Sequence, residues 1–86
     1  MAAILLIEDD LTFTRILDAF LGKHGHRLIS CTKGRDGLRA LEERAFDIVL
    51  LDYRLPDASG MDLLLEIKQL QPALPVVIMT SFNDLR

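Results

Sequence analysis

The chain has 86 residues, half of them hydrophobic and 27% charged, with a formal net charge of −3. That length holds one domain at most, with a modest core, and the composition is globular, with nothing disordered or low in complexity. An acidic balance gives no electrostatic footprint for nucleic acid. The lone Cys31 rules out an internal disulfide and fits a reducing cytosol, and the opening apolar run has no basic flank and meets Glu8, so it is neither a signal peptide nor a membrane span.

Two apolar patterns alternate along the chain. Ile4 to Ile7 is a continuous apolar run of strand length, as suits a strand covered on both faces. Glu8, Asp9 and Asp10 follow it, and Asp10 has the position of a helix N-cap. Phe13, Ile16, Leu17, Phe20 and Leu21 then fall at helical spacing and predict one apolar stripe, with Gly25 as the stop. The stretch around Leu28 to Cys31 is a weaker strand and belongs at an edge. Leu38, Leu41 and Ala45 predict a short second helix. Ile48 to Leu51 is another continuous run, ended by Asp52, with Pro56 and Gly60 shortly after. Ser59 and Asp62 resemble a capping box opening a third helix that carries Leu63, Leu64, Ile67 and Leu70. Pro72 and Pro75 close it. Val76 to Met79 is the last apolar run, followed by Thr80, Ser81 and "SFNDLR", which reads as the start of another helix.

The order β-α-β-α-β-α-β with short connections predicts right-handed crossovers, a parallel sheet and helices on both faces. In such a sheet, ligands bind beyond the carboxyl ends of the strands. There the chain places Glu8, Asp9 and Asp10 after the first strand, Asp52 after the third, and Thr80 and Ser81 after the fourth. Gathered carboxylates repel one another and raise their pKa values. A hard divalent cation relieves that repulsion, and Mg²⁺ prefers oxygen ligands with several waters retained. An Asp carboxylate also serves as a nucleophile toward phosphorus. Each feature alone has a plainer explanation: Asp52 as a turn acid, Asp10 as a cap, Thr80 or Ser81 as a cap, Arg54 as a surface cation, His24 and His26 as solvated loop residues, Cys31 as a small hydrophobe. The convergence of three strand ends favours chemistry.

In "ILLIEDD", "DIVLLDYRLPDASGMDLL" and "LPVVIMTS" the chain resembles the receiver domains of two-component response regulators, the CheY-like phosphoacceptors. It looks closest to receivers of transcription activators that work with the alternative sigma factor. The resemblance covers essentially all of residues 1–86 and implies a flavodoxin-like, doubly wound α/β sheet, here incomplete, with four strands in order 2-1-3-4. It implies that Asp52 is the phosphorylated aspartate. Glu8, Asp9, Asp52 and the backbone carbonyl of Arg54 are then the Mg²⁺ (or Mn²⁺) ligands, and Thr80 is the hydroxyl that bonds the phosphoryl group. The implied phosphate source is a sensor histidine kinase, with a transcriptional output in the cytoplasm. A complete receiver adds a fourth helix, a fifth strand ending in a lysine, and a fifth helix beside the first. None of these is in the 86 residues, so strand four is expected to be an exposed edge that drives self-association as a homodimer or larger. One alternative is a receiver-like dimerisation module that is never phosphorylated. Another is a haloacid-dehalogenase-like phosphatase, which wants a second Asp two residues after the nucleophile, where this chain has Arg54.

Overall fold

The computed structural model describes residues 1–80. Strands β1 (Ala3–Ile7), β2 (Arg27–Cys31), β3 (Ile48–Asp52) and β4 (Val76–Met79) alternate with helices α1 (Leu11–Lys23), α2 (Gly34–Glu43) and α3 (Gly60–Leu70). All strand pairs are parallel, as the alternation predicts, and they lie in the order β2-β1-β3-β4 that the family resemblance implies. Ile4 is in register with Ile48 and Ile7 with Leu51. The weak strand β2 lies at an edge. Ser81 and the expected helix opening lie outside the described residues.

Strand alternation sorts the side chains onto two faces. Leu5, Ile7, Val49 and Leu51 point to one face and form the main core with Leu41 of α2 and with Leu63 and Ile67 of α3. On the other face, toward α1, cover thins across the sheet. Leu6 of β1 is fully buried, Leu50 of β3 is half-buried, and Val77 of β4 is 46% exposed. These three residues are in register with one another.

The α1 stripe departs from expectation. Leu17 and Leu21 are half-buried, but Phe13, Ile16 and Phe20 are exposed, and α1 has no buried residue. The apolar stripe is broader than the contact that one helix makes with a sheet, so half of it faces away. The second helix also ends earlier than its pattern suggests. Arg44 is the C-cap, Ala45 is exposed beyond it, and Phe46 supplies the buried contact instead.

The helix ends are set by local chemistry. The Asp10 carboxylate accepts from the N–H of Phe13 at 3.1 Å, and the Ser59 hydroxyl accepts from Asp62 N–H at 3.1 Å, both N-caps as expected. At the end of α1, Gly25 has φ +82°. The Gly25 and His26 N–H groups bond back to the carbonyls of Gly22 and Leu21, a Schellman motif that needs this left-handed residue. His26 is no free loop residue: its Nδ1 accepts from the N–H of Ala2 at 3.0 Å. His24 stays exposed, its ring tilted against that of Phe20 with centroids 4.8 Å apart.

Candidate metal centre

The carboxyl ends of β1 and β3 lie side by side, so the residues just beyond Ile7 meet those just beyond Leu51. Three acids converge there: carboxylate oxygens of Glu8, Asp9 and Asp52 all lie within 4.8 Å of one another. Asp52 is the last residue of β3 and only 9% exposed, Glu8 is half-buried, and Asp9 is open to solvent. The site is thus a shallow cup with a buried floor and an open rim. Asp10 turns away into its capping role, and its own N–H donates to Glu8 at 3.1 Å.

The crowding has an electrostatic signature. Burial first, then the Asp52 charge and hydrogen bonds with Asp9 and Asp52, push the Glu8 carboxyl up to about 7, against the lowering pull of the Asp10 N–H. A carboxyl that holds its proton near neutrality beside two more acids marks a place suited to a cation. The donors are all oxygen, and one side is open for retained waters, so the residues fit Mg²⁺ or Mn²⁺.

The loop after Asp52 folds tightly back. Gly60 N–H donates to the Tyr53 carbonyl at 2.7 Å, Arg54 forms a bridge with Ser59, and Leu55 N–H donates to the Ala58 carbonyl at 3.2 Å. Pro56 and Asp57 form the tip. A Cβ on Gly60 would stand 2.7 Å from the Asp52 carbonyl and 2.8 Å from the Tyr53 Cα, so only glycine lets the loop close against the strand end. Arg54 is exposed. Thr80 is exposed and directly follows Met79, the residue in register with Asp52. The expected hydroxyl therefore sits at the neighbouring strand end.

One contributor leaves no signal in the sequence. The Asp57 carboxylate accepts the N–H groups of Gly34 at 2.8 Å and Arg35 at 3.1 Å, the first two of α2. Those two bonds, Arg35's first, hold the Asp57 carboxyl below its ordinary value. The Lys33 N-cap makes no side-chain cap bond of its own.

A profile of the response regulator receiver domain matches residues 4–86. The transcriptional regulatory protein ZraR of Escherichia coli O157:H7 is 41% identical over 81 residues, covering 94% of this chain and 18% of that protein. The chain thus spans less than a fifth of that curated relative. A response regulator receiver domain protein from Clostridium thermocellum superposes with a TM-score of 0.89 at 34% identity, over 99% of this chain and 69% of that one. The MaeR response regulator superposes with a TM-score of 0.86 at 31% identity, over 99% and 71%. Sequence and fold agree over nearly every residue: the chain belongs to the response regulator receiver domain family.

Proposed function

We propose that this domain is a phosphoacceptor: Asp52 takes a phosphoryl group from a sensor histidine kinase, with Mg²⁺ held by Glu8, Asp9, Asp52 and the Arg54 carbonyl. The observation that carries this reading is the convergence of the three carboxylates within 4.8 Å around a buried Asp52. The MaeR response regulator, similar in fold and 31% identical, has been solved bound to beryllium trifluoride, which supports an acceptor role here.

In this mechanism an Asp52 oxygen attacks phosphorus, the O–P bond forms, the P–N bond to the donor histidine breaks, and the imidazole keeps the electron pair and takes up a proton. Mg²⁺ held by these residues would supply positive charge to offset that of the transferring group. The protein's part is placement. Gly60 fixes the strand end, burial of Asp52 restricts its approach, and the Thr80 hydroxyl donates to a phosphoryl oxygen. The group adds about −1.5 to −2 charges and biases Thr80 and the segment after it. The domain turns over no substrate of its own. It sets a transcriptional output in the cytoplasm, of the kind that works with the alternative sigma factor. In the 86-residue form, where β4 is an edge strand among the described residues, that edge is a surface for a second copy.

A small acyl phosphodonor with Mg²⁺ tests this. In the receiver extended through its fifth-strand lysine, intact mass rises by one phosphoryl group, the adduct is stable to acid and lost in base, and Asp52→Asn abolishes it. The 86-residue chain, without that lysine to stabilise transferring charge, reacts slowly or not at all. An adduct that survives Asp52→Asn sinks the assignment.

A further inference from the structure

The tip of the loop after Asp52 is tied to a different element. Asp57 is separated from Gly34 and Arg35 by 23 and 22 residues, yet its two carboxylate oxygens take one amide each. The contact is close as well as polar. A Cβ on Gly34 would stand 3.0 Å from Leu63 and 3.4 Å from Ala58, so the start of α2 is pressed onto this loop and the first turns of α3. The loop is therefore held at two points: at its base by the Gly60–Tyr53 bond under Asp52, and at its tip by α2. Arg54 lies in the arm between them, bridged to Ser59. The arm is short and internally bonded, so a shift of the tip is carried to the Arg54 backbone.

We propose that Asp57 is a positioning residue for the cation site: by clamping the first two amides of α2 it sets where the Arg54 carbonyl stands relative to Glu8, Asp9 and Asp52, and so couples ion binding to closure of the first turn of α2. The inference rests on the proposed role of the Arg54 carbonyl as a ligand. Outer groups that orient ligands commonly change metal affinity by about ten- to a hundredfold when removed. Coupling is reciprocal, so an ion bound at the acids must in turn tighten the clamp.

Mg²⁺ titration by calorimetry, together with amide exchange at Gly34 and Arg35 with and without Mg²⁺, tests it on the parent, Asp57→Ala and Asp57→Asn. The parent is expected to bind Mg²⁺, and Mg²⁺ is expected to slow exchange at both amides. Asp57→Ala should weaken binding about tenfold and abolish the Mg²⁺ effect on exchange. Asp57→Asn, which keeps a single accepting oxygen, should fall between and remains folded if the alanine variant does not. If the parent binds Mg²⁺ and folded Asp57→Asn and Asp57→Ala bind it equally well, the clamp has no role and this inference fails alone. A parent that binds no Mg²⁺ overturns the metal reading and the coupling with it.

Discussion

Asp9 is the acid of the cluster most open to water, and its carboxylate meets two others within 4.8 Å. Replacing it by alanine removes a ligand and a repulsive neighbour together. Asp9→Ala is expected to lose most Mg²⁺ binding while raising metal-free stability by about 1 kcal/mol; calorimetry and chemical denaturation read the two effects, and unchanged Mg²⁺ affinity would remove Asp9 from the site. Glu8 gives the pH dependence. Its folded value, about 7, lies above the ordinary 4.5, so the native state holds the proton more tightly than the unfolded chain. Its contribution is complete below about pH 4.5 and is lost as pH rises toward 7. Partial solvent exposure reduces the full conversion to on the order of 1 kcal/mol. Mg²⁺ competes with that proton, so affinity should climb across the same window, and a flat profile from pH 4.5 to 7 would deny Glu8 its place. Glu8, Asp9 and Asp52 are legible in the sequence because each lies at the end of an apolar strand run, and the parallel order leaves strand ends one place to meet.

Elements differ in how far their own sequence determines them. The caps at Asp10 and Ser59 are local, three residues from the amides they accept, and their spacing alone reveals them. The start of α2 is not legible in this way, because its partner Asp57 comes from the far side of a crossover and spacing along the chain carries no trace of it. Ala45 continues a helical pattern that the chain abandons at Arg44, where Phe46 can reach the core from the next connection. The β3–α3 junction is the least forgiving element. Gly60→Ala would push a methyl group against the Asp52 carbonyl and the Tyr53 Cα, which are backbone and cannot rotate aside. It should cost about 2 kcal/mol, within the range for overpacked sites, and should weaken Mg²⁺ binding by displacing Asp52. A Gly60→Ala protein with parental melting temperature would show that the loop can yield.

Across the whole molecule the two faces of the sheet are unequal. The α2–α3 face carries the main core, whereas the α1 face leaves Val77 and several residues of the α1 stripe exposed. The 86-residue chain is expected to self-associate there and along β4, an edge strand among the described residues whose Val77 is exposed. Val77→Lys should shift the sedimentation profile toward monomer, and a stable monomer at micromolar concentration before any substitution would refute the expectation. That the strands and their parallel pairing are readable from sequence while this imbalance is only half so has a physical reason: periodicity marks which side chains are apolar but not how many neighbours each will find. The helix α1, which buries no residue completely, bears the consequence. It is anchored by half-buried leucines and a capping carboxylate, while β1 and β3 hold the centre. A protease should find this helix first. Trypsin is expected to nick after Arg15 or Lys23, and such a cut would fall on the segment that begins at the acids themselves.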